Sequence, residues 1–157
     1  MVRVLIVCLG NICRSPLAHG VLRDRIAERG LAQRIEVDSC GTSGYHSGDQ
    51  ADPNTRRVAR RRGVDLEWHR SRQLTDADYF EFDALVAMDR SNERGIRERL
   101  LPNADVQIVR YLDFVQDAPG PDMPDPYYGG EAGFDTVHDL VDAGADALID
   151  WALTLQR

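Results

Sequence analysis

VLIVCLGNICRSPLAHG, residues 4–20, joins an apolar run to a helix-like pattern through a short polar loop. Met1 to Val7 is rich in β-branched residues, which suits a strand buried in a parallel sheet. Ser15 followed by Pro16 marks a helix start, with Ser15 as N-cap and Pro16 at the first helical position. Leu17, Val21, Leu22 and Ile26 then recur on one helical face, and Gly30 is the stop. The segment therefore predicts a strand, a tight loop and a helix, with Cys8 at the mouth of the strand and Arg14 at the mouth of the helix.

The rest of the chain repeats this alternation. Arg34–Ser39 reads as a second strand, followed by the glycine-rich loop CGTSGYHSGDQAD, residues 40–52. Asp52 and Pro53 open a second helix that closes at Gly63. Ala84–Met88 is a third apolar strand, and residues 89–100 continue as a helix capped near Ser91. Ala104–Val109 is a fourth strand. Residues 116–133, QDAPGPDMPDPYYGGEAG, form a long Pro/Gly/Asp loop, and loops of that length are often functional. A final helix runs from Phe134 to Leu155, with Val137, Val141, Leu148, Ala152 and Leu155 on one stripe. Strands alternating with helices predict an α/β three-layer sandwich, a central four-stranded parallel sheet with helices on both faces and an anion-binding loop after the first strand. At 157 residues the chain is expected to form one domain, residues 1–157, large enough to bury a core without staples.

Composition narrows the function. The net charge of −7 argues against a general nucleic-acid binder or a basic membrane binder. All 19 basic residues are arginine, so no mechanism with a lysine nucleophile is available. Three cysteines do not make a disulfide scaffold and fit a reducing compartment. No apolar run approaches the ~18 residues of a membrane span, and no secretory leader is expected ahead of the first strand. The expected location is cytoplasmic.

In sheets of this kind ligands bind beyond the carboxyl ends of the strands, where Cys8 falls. Backbone N–H groups from Leu9, Gly10, Asn11, Ile12, Cys13 and Arg14 can curl into an anion nest aided by the helix dipole. The same field favours the thiolate of Cys8. The Arg14 guanidinium can fork two phosphate oxygens, which lysine could not copy. A thiolate beneath a clamped phosphate is placed for in-line attack on phosphorus. The segment is not a nucleotide P-loop, because no Gly-Lys follows. Cys8 and Cys13 are too far apart for a CxxC metal pair.

A phosphorylated thiol also needs a proton donor for the leaving oxygen and a base for water. Asp125 lies between two prolines that fix its backbone, and it can serve both steps. Tyr127 and Tyr128 follow it as candidate aromatic walls.

Together, CLGNICRSP (8–16), HRSRQL (69–74), MDRSN (88–92) and DPYYG (125–129) resemble the low-molecular-weight protein tyrosine phosphatases over nearly the whole chain. The resemblance implies hydrolysis of phosphotyrosine through a cysteinyl-phosphate intermediate. Cys8 would be the nucleophile, Arg14 the phosphate clamp and Asp125 the general acid and base. Ser15 would hydrogen-bond the Cys8 sulfur, Asn11 would adopt positive φ, and His69 would brace it. Ile12, Tyr45, Tyr127 and Tyr128 would wall the substrate pocket, and Cys13 would trap an oxidised Cys8 as a disulfide. The implied partners are tyrosine-phosphorylated proteins, with inorganic phosphate and similar oxyanions as competing ligands. No metal or organic cofactor is implied. Two positions depart from the family pattern: His19 replaces a usual Glu, and Cys40 stands where Ala is common.

Three rivals are weaker. A cysteine phosphocarrier of sugar transport needs no general acid, so Arg14 with Asp125 favours hydrolysis. An arsenate reductase of this fold needs two further cysteines near the third strand, and residues 80–100 contain none. Phosphoarginine phosphatases of the family carry Thr where this chain has Ile12.

Overall fold

The structure is a computed structural model and describes residues 1–126 and 130–155. Four parallel strands form one sheet in the order β2-β1-β3-β4: β1 (Val2–Cys8), β2 (Ile35–Gly41), β3 (Ala84–Ala87) and β4 (Gln107–Arg110). Between them lie α1 (Arg14–Glu28), α2 (Pro53–Arg61), α3 (Asp78–Glu81) and α4 (Arg90–Glu98), and α5 (Gly130–Leu153) follows β4.

The expected sandwich is the one observed. Val2, Val4, Ile6 and Cys8 pack with Leu17, Val21 and Leu22 of α1 and Val141, Leu148 and Ile149 of α5. Leu5 and Val7 alternate to the other face, where they meet Cys40, Tyr79, Phe82 and Ile96. A strand buried on both faces reads as a continuous apolar run, which is why residues 4–7 carry no alternation. Because β2 and β3 flank β1 on opposite sides, the order reverses at β1, and a crevice opens at its carboxyl end. Cys8 is the last residue of β1.

Some boundaries differ from expectation for identifiable reasons. The helix α1 begins at Arg14 rather than after Ser15, and no side chain caps it. The Ser15 hydroxyl is instead engaged with the Cys8 sulfur. The helix α4 is capped by Asp89, whose Oδ1 accepts from the Asn92 N–H at 2.7 Å, not near Ser91. The strand β4 is confined to residues 107–110 because its neighbour β3 offers only four partners. The short helix α3 and a 3-10 turn at Tyr111–Phe114 lack a long periodic pattern and were not anticipated. The stops at Gly30 and Gly63 are as expected, with φ of 69° and 87°.

Candidate active site

The loop from Cys8 to Arg14 is shaped from outside. Its five successive carbonyls, Cys8 to Ile12, each accept a hydrogen bond from a surrounding element. The donors are the Thr42 N–H (2.9 Å), the Ser43 N–H (2.9 Å), the Ser71 hydroxyl (3.0 Å), His69 Nε2 (2.8 Å) and the Asp52 N–H (2.8 Å), in that order. In a trans peptide the carbonyl of one residue and the N–H of the next point in opposite directions. Pinning the carbonyls outward therefore turns the N–H groups of residues 9–13 toward the loop centre, where they form a concave anion nest.

Cys8 Sγ lies at that centre. The Asn11 N–H donates to it at 3.3 Å, and Ser15 Oγ lies 3.0 Å away. Asn11 is fully buried with φ 57°, a left-handed conformation that Asn tolerates better than other non-glycine residues. Its Nδ2 donates to Ser15 Oγ (2.8 Å) and Ser39 Oγ (3.1 Å), and its Oδ1 accepts from the Arg72 N–H (3.0 Å). Gly41, at the end of β2, is dictated by close approach: a Cβ there would sit 2.6 Å from the Leu9 carbonyl oxygen.

Arg14 is buried, and its Nη1 donates to Asp89 Oδ2 at 2.7 Å and to the Met123 carbonyl at 3.1 Å. Burial alone would lower its pKa, but the Cys8 sulfur and Asp89 outweigh burial and raise it, so the guanidinium keeps its charge. Asp89 thus holds Arg14 with one oxygen and caps α4 with the other. The Met123 N–H bonds the Met88 carbonyl (2.8 Å), and Asp122 pairs with Arg90 (3.0 Å). These contacts tie the loop that carries Asp125 to the end of β3.

A cavity of about 310 Å³ opens over the loop, lined by Cys8, Leu9, Gly10, Ile12, Cys13, Arg14, Ser43, Tyr45, His46 and Asp125. The expected cluster of Cys8, residues 9–14, Ser15 and His69 is thus assembled in one place, with Ile12, Tyr45 and Asp125 on the walls. Tyr45 is 87% exposed and stands at the rim, edge-on to His46 at 4.9 Å. Tyr127 and Tyr128 lie outside the described residues. Burial pushes the Cys13 thiol up to about 12, and burial lowers the pKa of His69, so Cys13 stays protonated and His69 neutral.

Sequence reasoning missed Asp89, Ser39, Ser71 and His46. An Asp directly after the last apolar residue of a strand, with Asn92 three positions on, was a readable cap signal for Asp89. Ser71 falls within the segment HRSRQL, but nothing local marks Ser39 or His46 as a neighbour of Cys8.

Residues 3–157 match the family model for low molecular weight phosphotyrosine protein phosphatase. The low molecular weight protein-tyrosine-phosphatase YfkJ of Bacillus subtilis is 39% identical over 149 residues, covering 95% of this chain and 94% of its own. A low molecular weight protein-tyrosine-phosphatase of Streptomyces coelicolor is 40% identical over 151 residues, covering 94% and 91%. Among solved structures, the protein tyrosine phosphatase of Entamoeba histolytica with Hepes in its active site superposes with a TM-score of 0.91. It is 37% identical, with 96% of each chain covered. The chain belongs to the low molecular weight phosphotyrosine protein phosphatase family and is an enzyme of the protein-tyrosine-phosphatase class.

Proposed function

We propose that the protein hydrolyses phosphotyrosine through a cysteinyl-phosphate intermediate, with Cys8 as nucleophile, Arg14 as phosphate clamp and Asp125 as general acid and base. The observation that carries this reading is the placement of Cys8 Sγ at the centre of an inward-facing N–H nest, in one cavity with Arg14 and Asp125. Five N–H dipoles and a guanidinium favour a dianion, and negative charge that builds on the equatorial oxygens during transfer is met by donors already in place. In the first step the Cys8 thiolate attacks phosphorus, the bond to the tyrosyl oxygen breaks, and Asp125 gives that oxygen its proton. In the second step water attacks the phosphocysteine, Asp125 takes a proton from the water, and the P–S bond breaks. The departing thiolate is received by the Ser15 hydroxyl and the Asn11 N–H.

Three free cysteines and a reaction that needs a reduced nucleophile fit a cytoplasmic setting. Cys13 shares the cavity with Cys8 and is the thiol available to trap an oxidised nucleophile. Its high pKa makes that trapping slow at neutral pH, since the thiolate is the attacking form. Ile12 on the wall supports phosphotyrosine over phosphoarginine, because a branched aliphatic side chain desolvates a guanidinium without offering it a partner.

Aryl-phosphate turnover tests the scheme. Cys8→Ser should abolish it, and Asp125→Ala should lower it by about 10²- to 10⁴-fold for leaving groups that need a proton and least for strongly acidic phenols. Near-normal turnover by the Cys8→Ser protein would refute the covalent route.

A further inference from the structure

His19 is a buried histidine behind the loop, on the first turns of α1, with no part in the scheme above. Its Nδ1 lies 3.0 Å from Ser39 Oγ. From there a chain of contacts leads to the sulfur: Ser39 Oγ to Asn11 Nδ2 at 3.1 Å, Asn11 Nδ2 to Ser15 Oγ at 2.8 Å, and Ser15 Oγ to Cys8 Sγ at 3.0 Å.

The hydrogens on this chain can be counted. The Asn11 amide nitrogen has two and gives one to each serine oxygen. Each serine then keeps one hydrogen of its own to donate. Ser15 has two acceptors in reach, the Cys8 sulfur at 3.0 Å and the Cys40 carbonyl at a longer 3.4 Å. The Ser39 hydroxyl is buried and already accepts from Asn11, so its hydrogen needs an acceptor, and a bare His19 Nδ1 is the one at hand among the described residues.

We propose that His19 is a positioning residue for the nucleophile: by accepting the Ser39 hydroxyl at Nδ1 it holds the Asn11 amide, and through it the Ser15 hydroxyl, on the Cys8 sulfur. The proposal rests on the reading of Cys8 as nucleophile. His19 and His69 then grip Asn11 in opposite senses. His69 Nε2 donates to its carbonyl at 2.8 Å, while His19 accepts, through Ser39, at its side chain. The arrangement needs a neutral His19. Asp38, 4.0 Å from Nδ1, favours the imidazolium, but burial opposes it first, and the His69 ring, Arg23 and Arg72 add to that opposition. The balance holds the pKa down at about 4. Trp68, edge-on at 4.6 Å, packs against the same ring. A protonated Nδ1 would be a second donor to Ser39 and would leave the Ser39 hydrogen without its acceptor.

The test compares His19→Leu, which keeps bulk and loses the acceptor, with His19→Asn, which keeps an acceptor near the Nδ1 position. The pH dependence of Cys8 alkylation by iodoacetamide is followed by mass mapping of the Cys8 peptide, alongside kcat/KM for an aryl phosphate. His19→Leu should move the alkylation midpoint to higher pH and lower kcat/KM by about three- to tenfold, the span of one hydrogen bond. His19→Asn should stay within about twofold of the unmodified protein in both. An unchanged alkylation profile in His19→Leu, or equal impairment of the two variants, overturns the proposal. If His19→Leu does not fold, Ser39→Ala breaks the same link with His19 in place, and an unshifted midpoint there overturns it equally. Alkylation needs no turnover, so it judges the relay even if the covalent scheme fails.

Discussion

Two polar assemblies in this molecule are both held by hydrogen bonds and do opposite work. One is the buried set around Cys8, in which Asn11, Ser15, Ser39 and His69 are each 3% exposed or less. The other lies in the open along α5, where Asp135, Asp139, Asp142, Asp146 and Asp150 form one acidic stripe. Arg61, Arg62, Arg25 and Arg29 of the neighbouring helices pair along it. In the stripe a lost partner is replaced by water and by the next aspartate, so the pairs are interchangeable. Around Cys8 a lost partner leaves a polar atom that water does not reach, and every member is held to one orientation. The difference teaches where precision is stored: in the assembly that cannot be resolvated, not in the one with more ion pairs.

The largest expected effect comes from breaking the buried set at its centre. Asn11→Ala puts a Cβ-bearing residue without a polar side chain at φ 57° and strands Ser15, Ser39 and the Arg72 N–H together. A loss of roughly 3 kcal/mol or more in stability is expected, with a fall in kcat/KM of about 10²-fold from the displaced loop. Chemical denaturation and aryl-phosphate kinetics check both, and a stability within about 1 kcal/mol of the unmodified protein, the average effect of a point mutation, would erase the contrast.

A smaller effect comes from acid. His19 has its folded pKa lowered from 6.5 to about 4, so between those values the unfolded chain binds the proton and the folded one does not. Stability from this group is full above pH 6.5 and falls as pH drops toward 4, by up to about 3 kcal/mol. Melting temperature against pH should therefore fall less steeply over that window in His19→Leu. Parallel curves for the two proteins would show that His19 does not carry the loss.

Ile12→Thr tests the wall rather than the floor. It should shift the ratio of kcat/KM for phosphoarginine over phosphotyrosine upward by about one to two decades, corresponding to roughly 1–3 kcal/mol for a relieved polar contact. An unmodified protein that already prefers phosphoarginine would refute the substrate assignment. The smallest effect belongs to the stripe. Arg62→Ala removes pairs to Asp135, Asp139 and Asp142, yet melting should fall by no more than about 4 °C with turnover unchanged. A larger drop would mean that the exposed pairs act as a rigid unit.

What could be read from the chain follows the same division. Residues 8–16 declare themselves because strand, loop and helix mouth are contiguous, and a contiguous segment needs no tertiary information. The alternation of apolar runs was enough for the layers and for the parallel sheet. Strand ends were not legible, because β4 stops where β3 stops and that depends on a neighbour 23 positions earlier in register, Ala84 against Gln107. Ser39 and Gly41 were illegible for a related reason. A serine in a strand or a glycine at its end looks ordinary until the fold sets it against the Cys8 loop. Ser15 has two possible roles in the sequence, a helix cap by position and a partner of the Cys8 sulfur by resemblance, and the packing decides for the second.

The outward anchoring of five carbonyls has a consequence at the end of the catalytic cycle. The cradle is held from outside by contacts to His69, Ser71, Asp52, Thr42 and Ser43, none of which involves the substrate or the ester bond that is broken. On the proposed reaction it meets the free phosphate with the same donors that met the phosphoryl group. Donors that meet both species hold the product as well as the reactant. On that reaction, accumulating phosphate should compete with the substrate for the loop and slow turnover, a brake that inhibition kinetics with an aryl phosphate would reveal.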